Sequence, residues 1–197
     1  MARDEAATTT APPEILARPQ VSLIGDIDKF TVERFLDQLH AAEKAGGDVA
    51  VEVTTLGGDP EMARRIVLET QYARGRIAGR LLFLGKSVVY SAGITIMCGF
   101  EKEERWLAGD TMLMIHGRKL DKTVEISGPI RTSLPQLKAL QAQIETGIAF
   151  EDENFRRLIA GSDIGFEEIC EKSLCNWYLP AEEAVKRGLA AGIWEPS

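Results

Sequence analysis

Cysteine is scarce in this chain of 197 residues, occurring only as Cys98, Cys170 and Cys175. An odd count with no close-spaced pairs does not build a disulfide framework. Cys170 and Cys175 have no second Cys/His pair nearby, so no zinc site is expected either. Histidine is scarcer still, with His40 and His116 alone. No apolar run reaches the ~20 residues that span a bilayer. The opening MARDEAATTTAPPEILARP lacks the apolar core of a secretory signal. Excess positive charge is missing too: 23 Lys and Arg stand against 30 Asp and Glu, a net charge of −7. That sign argues against nucleic acid as the main partner. No internal repeat is visible, and the only biased segment is the Thr/Ala/Pro-rich start. What remains is a cytoplasmic globular protein, expected as one domain over residues 21–197 behind a flexible arm of residues 1–20. With 45% hydrophobic residues, the chain has enough apolar side chains for a core.

Strand-like and helix-like segments alternate along the rest. VSLIGDI, from Val21 to Ile27, is apolar and β-branched and ends in a turn. The next segment repeats apolar residues at helical spacing (Val32, Phe35, Leu36, Leu39) until Gly46-Gly47 stops it. DVAVEVTT predicts a second strand, followed by the loop LGGDP. Asp59 as N-cap, Pro60 at N1 and Glu61 in the first turn then open a helix to about Ala73. GRLLFLG predicts a third strand, and Met112–Ile115 a strand buried on both faces. A long helix is expected over Leu134–Leu158, shorter ones over Phe166–Cys175 and Ala181–Arg187, and a last strand in GLAAGIW. This alternation predicts an α/β fold with a largely parallel sheet, in which sites gather at the C-terminal ends of strands. Gly57-Gly58, Ser91 and His116 fall at such ends.

A serine hydroxyl is a poor nucleophile until a base takes its proton. His40 lies mid-helix and reads as a surface residue. His116 follows a buried strand and reads either as a satisfied core histidine or as a base. Ser91 precedes Ala92 and Gly93 at the start of an apolar run. There it is either a helix N-cap or a nucleophile whose oxyanion would lie near unpaired N–H groups. Spacing alone does not separate the two. Gly57-Gly58 offers backbone N–H donors, because glycine reaches the φ/ψ values that turn an N–H toward a substrate oxygen. Together the three supply an oxyanion hole, a nucleophile and a base.

As a set, these segments resemble a known family. VSLIGDID is similar to the first strand of the proteolytic subunit of the Clp protease, ClpP, within the ClpP/crotonase fold. TTLGGDP resembles that family's Ser-Pro-Gly-Gly loop, with Thr55-Leu56 in place of Ser-Pro. YSAGITI resembles its Ala-Ser-Met-Gly-Ala nucleophile turn, and LMIHG its Met-Ile-His-Gln base segment. The Ser91-to-His116 separation, 116 − 91 = 25, is the one expected for the family. YLPAEEAVKRGLAAGI matches its C-terminal segment, so the resemblance runs from Val21 to Ile193.

The resemblance implies a spiral of ββα units with a projecting handle helix at about 134–158. It implies a serine endopeptidase that hydrolyses peptides or unfolded proteins without cofactor or metal. Ser91 would be the nucleophile and His116 the general base. Gly57 or Gly58, with the Ala92 N–H, would form the oxyanion hole. Self-association into rings and docking to an AAA+ unfoldase are family properties that come with it. The departures are specific. The family's triad aspartate falls on Asn176, which can accept the imidazole N–H but cannot stabilise the imidazolium by charge; in serine proteases that exchange costs about 10⁴ in kcat. Weak catalysis is therefore expected, with Asp121 and Asp163 the nearest carboxylates that could substitute. Cys175 stands where the family carries an inter-ring arginine. The family's substrate-aligning strand is not readable in the 117–133 segment. The arm lacks the family's axial-loop sequence, which weighs against unfoldase docking. Two other readings follow from the same fold: a catalytically retired oligomer acting as a scaffold or interaction subunit, and crotonase-like acyl-CoA chemistry.

Overall fold

The computed structural model describes residues 11–120, 123–125 and 127–196. Along them run β1 (Val21–Ile24), α1 (Lys29–Ala45), β2 (Val49–Thr55), α2 (Pro60–Ala73), β3 (Leu81–Tyr90) and α3 (Ala92–Met97). Then come β4 (Arg105–Ala108), β5 (Met112–Ile115), α4 (Ile130–Ile159), α5 (Phe166–Ser173), β6 (Trp177–Pro180), α6 (Ala181–Lys186) and β7 (Gly192–Trp194). Local chemistry sets several of these boundaries. Asp28 caps α1 by accepting the Thr31 N–H at 2.8 Å. Asp59 caps α2 by accepting from Glu61 and Met62, with Pro60 at N1 as its sequence predicts. Strand β1 stops at Ile24, where Gly25 turns the backbone to φ 93°, so Val21–Ile27 is a strand followed by a turn.

The sheet order is β1-β2-β3-β4-β7, and β5 pairs with β3 on one side and β6 on the other. All pairings are parallel except β5 with β6. Strand β3 is the hub. Its first half, Phe83–Gly85, pairs with β4, and its second half, Val88–Tyr90, pairs with β5. Between the halves the register against β2 slips from Val53↔Gly85 to Thr55↔Val89. So β3 spends four residues where β2 spends two, and Ser87 sits in the surplus at φ 57°. A bulge of this kind bends its strand and sharpens the local twist. Here it redirects β3 from one neighbour to another.

One face of the sheet carries the main core, in which Phe35, Ile66, Phe83, Ile96 and Phe100 are completely or almost completely buried. A smaller cluster of Leu16, Ala50, Leu82, Leu84 and Trp106 is buried separately. Leu16 belongs to a 3₁₀ turn, Glu14–Ala17. Of the segment expected as a flexible arm, residues 1–10 lie outside the described residues, while this turn packs into that second cluster.

Two strands, β4 and β6, have no counterpart among the sequence-based expectations. Each is only four residues long: β4 opens on a charged residue and β6 closes on a proline. Short strands of this kind lack the periodicity that marks longer ones. Helix α4 begins at Ile130, four residues before the expected start at Leu134, and Pro135 lies inside it. The proline removes only the hydrogen bond to the Arg131 carbonyl, close to an exposed helix end. Of the helix's 30 residues only Phe155 and Leu158 are buried. Ile130, Leu134, Leu137, Ile144 and Ile148 are exposed, so most of α4 projects from the body.

The end of α4 is fastened by one buried cation. Arg105, at 1% exposure, points its guanidinium at main-chain oxygens only. Nε donates to Phe100 O at 2.9 Å, Nη1 to Leu158 O at 2.8 Å and Leu189 O at 3.3 Å, and Nη2 to Arg157 O at 3.1 Å. Burial pushes the guanidinium below its usual value, yet a group that starts above ~12 stays charged at neutral pH. Two of the four oxygens are orphan carbonyls of the last turn of α4, which favours positive charge. Arg105→Met is predicted to leave them without donors and to lower unfolding stability by about 3 kcal/mol. Urea denaturation at fixed protein concentration measures this, and a loss below about 1 kcal/mol would contradict the assignment.

Candidate active site

Three neighbouring strands end at one edge of the sheet. Strand β2 runs into the Gly57-Gly58 loop, β3 into Ser91, and β5 into His116. The antiparallel β6 starts at the same edge. Its register ends with Ile115 paired with Trp177; Asn176, at φ 58°, directly precedes β6 as His116 directly follows β5, and both lie outside the ladder. The sequence-expected residues are thus brought to one edge.

Ser91 has φ 54° and ψ −109°, a conformation that a non-glycine residue holds only under constraint. Its N–H donates to Met114 O at 3.0 Å, and its carbonyl accepts from Ile94 N at 2.9 Å. These bonds lock the turn from both sides. Gly93 is needed just after it: a Cβ there would lie 2.6 Å from Thr55 Cγ2. Ser91 occupies the N-cap position of α3, but its side chain makes no capping hydrogen bond. The hydroxyl is thus not spent on the helix, and the capping reading left open by spacing has no bond behind it.

The glycine loop abuts this turn. A Cβ on Gly57 would lie 3.0 Å from Ser91 Cβ and 3.3 Å from its Oγ. Gly58 is pressed against β1's continuation, where a Cβ would meet Ile27 O at 2.3 Å. The two glycines differ in what their N–H groups do. The Gly57 N–H donates to Thr55 Oγ1 at 3.0 Å. The Gly57 carbonyl accepts from Ile27, and Asp59 donates back to Ile27 O. That leaves the Gly58 N–H without an acceptor among the described residues, and the Ala92 N–H, at the first position of α3, likewise.

His116 is half-buried, and Nδ1 lies 2.5 Å from Gly117 O. A carbonyl oxygen only accepts, so a hydrogen bond here requires the proton on Nδ1, the tautomer that leaves the ring's lone pair on Nε2. Among the described residues no hydrogen bond joins His116 to the Ser91 hydroxyl; resting enzymes often show such open geometry. Both residues line a cavity of about 40 Å³ together with Cys98, Arg118, Glu151 and Asn154. Burial pushes the Cys98 thiol up to about 11, so it is not a competing thiolate at neutral pH.

Asn176 is exposed, at φ 58°, and makes no hydrogen bond to His116 among the described residues. Asp163 is engaged by Arg187 at 2.6 Å. Asp121 lies outside the described residues. His40 is an exposed residue on α1, as expected. Cys175 is exposed and Cys170 half-buried, both as free thiols.

Three charged residues around the site carry no signal in the sequence. Arg118 donates to Glu61 at 2.5 Å, and Glu61 also takes Arg64 at 2.7 Å. The Arg118 hydrogen bond is the main reason the Glu61 carboxyl is held below its usual range. Glu151, on α4, accepts the Arg118 backbone N–H. No spacing rule ties Glu151 to His116, since 35 residues and a helix start separate them (151 − 116). Next to the small cavity, Arg118, Glu151, Ile144, Ile148 and Phe150 line a larger groove of about 660 Å³ between the segment after His116 and α4.

Among the described residues no helix is long and apolar enough to cross a membrane. A comparison with curated proteins finds no match. Among solved structures the chain is similar to an asparagine-to-aspartate mutant of ClpP1 from Listeria monocytogenes, at 23% identity and a TM-score of 0.68. That match covers 92% of this chain and 94% of the other, and it shows a shared ClpP-type fold, long helix included. The family model described as Clp protease matches residues 3–197. The strand-end arrangement of Gly57-Gly58, Ser91 and His116 is therefore carried by a chain that belongs to the Clp protease family.

Proposed function

We propose that this protein is a ClpP-like serine endopeptidase acting through Ser91 and His116. The observation that carries this reading is the meeting, at one sheet edge, of a constrained serine with an uncapped hydroxyl and a histidine whose Nδ1 is already donating. Ser91 Oγ attacks the peptide carbonyl and His116 Nε2 takes its proton. The N–H groups of Gly58 and Ala92, without acceptors among the described residues, hold the oxyanion. His116 then passes the proton to the leaving amine, and water, activated by the same ring, hydrolyses the acyl-enzyme. Of the two glycines, Gly58 is the donor in this scheme because the Gly57 N–H is occupied by Thr55. Substrates are peptides or unfolded protein. The exposed apolar residues of α4 support self-association into rings. Acyl-CoA chemistry has less support: the nearby glutamates, Glu61 and Glu151, are both tied to Arg118.

A fluorophosphonate probe is expected to label the wild type and not Ser91→Ala. Absence of labelling together with absence of peptide or casein cleavage would sink the peptidase reading. A scaffold role is favoured by one observation: among the described residues no hydrogen bond joins Asn176 to His116. Under that reading a Ser91→Ala strain would match the wild type while a deletion would not.

Asn176 supplies a second prediction. The Listeria chain is by its title an asparagine-to-aspartate mutant of ClpP1, and the same change of residue type is informative here. Just before β6, next to the end of β5 that delivers His116, an aspartate in place of Asn176 would offer the imidazolium a charge that the amide lacks. Asn176→Asp is expected to raise kcat by about tenfold or more, a modest part of the ~10⁴ that the reverse change costs a serine protease. Unchanged kcat would remove Asn176 from the catalytic set.

A further inference from the structure

We propose that Glu151 is the positioning carboxylate of His116 and that it works through a single peptide group, the one joining Gly117 to Arg118. This deepens the peptidase reading and rests on it for its catalytic meaning. The group has two hydrogen-bonding ends. Its carbonyl, Gly117 O, accepts from His116 Nδ1 at 2.5 Å. Its N–H, on Arg118, donates to Glu151 Oε2. Carboxylate, peptide and imidazole therefore form one chain of hydrogen bonds running in one direction.

Peptide resonance connects the two ends. A negative charge at the N–H pushes electron density toward the carbonyl oxygen and makes it a stronger acceptor. The carbonyl then selects the Nδ1–H tautomer, as a direct carboxylate would, though more weakly over the longer distance. This supplies the charge that Asn176 cannot.

Three neighbouring details fit the arrangement. Gly117 has no side chain in the way: a Cβ would lie 3.2 Å from Glu151 Oε2 and 3.5 Å from Oε1. The Gly117 N–H, in the preceding peptide, donates to Ser173 O at 3.3 Å, which ties the Gly117 backbone to α5. The Arg118 guanidinium turns away to Glu61 on α2, and Glu151 has no ion pair among the described residues. Its charge is thus not cancelled by a contacting cation. The other titratable group facing the cavity is the Cys98 thiol on the α3 side, neutral at physiological pH.

The test uses the full chain with isotopically labelled histidine. With only His40 and His116 present, a His40→Gln variant assigns the ring signals. With the ring neutral, His116 in the wild type is expected mainly as the Nδ1–H tautomer. Glu151→Gln is expected to shift it toward Nε2–H and to lower kcat about tenfold at a KM within about twofold. Glu151→Asp, whose shorter arm leaves the Arg118 N–H, should repeat both changes. Glu61→Gln releases the Arg118 side chain but keeps its N–H on Glu151, and is expected to stay within about twofold of the wild type. An Nε2–H tautomer in the wild type, an unchanged tautomer in both Glu151 variants, or an equal loss in Glu61→Gln overturns the proposal. If the probe labels Ser91 while the Glu151 variants behave as wild type, this inference fails and the peptidase reading stands. If the tautomer depends on Glu151 but Ser91 is never labelled, the peptidase reading fails alone.

Discussion

Between Gly85 and Val89 the third strand advances four residues while its neighbour advances two, and every part of the candidate site depends on that surplus. With an even register, β3 would stay between β2 and β4 along its whole length. The bulge turns its end away from β4 and toward β5. Ser91 then leaves the sheet beside the end of β5, where His116 follows, rather than along the line of β4, and the glycine loop of β2 still flanks it. The backbone at Ser91 is held at positive φ by bonds made on both sides of the turn. A strained residue persists where its surroundings over-determine it, and here three strands and a short helix do so.

The electrostatics of the candidate site, and of the anchor that holds the end of α4, are built from main-chain groups more than from paired charges. Arg105 is buried against four carbonyl oxygens and no carboxylate. His116 leans on a carbonyl, and the two N–H groups left for an oxyanion are also main chain. Such dipoles are preorganised by the fold and cost little reorganisation during a reaction. The charges nearest the site, Glu61, Arg118 and Glu151, link α2, the segment after His116 and α4. The base of the projecting helix is thus bonded directly to the edge that carries the candidate site.

Much of this was legible in the sequence because it depends on local chemistry. Asp59-Pro60 announces a helix start, and Gly57-Gly58 announces backbone that other residues cannot adopt. Ser91 and His116 stand out by their neighbours: small residues after one, a continuous apolar strand before the other. The family resemblance rests on these same segments. What escaped notice has no local mark. Arg105 reads as a surface charge beside three glutamates, yet it is buried, because the carbonyls that satisfy it come from residues 100, 157, 158 and 189. Strand β6 is recognisable only from its partner β5.

By itself, then, the sequence determined the α/β alternation, the helix caps, the glycine turns and the identity of a serine and a histidine at strand ends. Each follows from interactions within a few residues along the chain. The tertiary structure alone decided which N–H groups at this edge lack an acceptor among the described residues and which oxygen lies against His116 Nδ1. It alone brought Glu151 and Arg118 together and left Asn176, just outside the β5–β6 ladder, without a bond to the ring among the described residues. Those outcomes depend on distances between segments tens of residues apart, set by the bend of β3 and the fastening of α4. No local pattern encodes a distance of that kind.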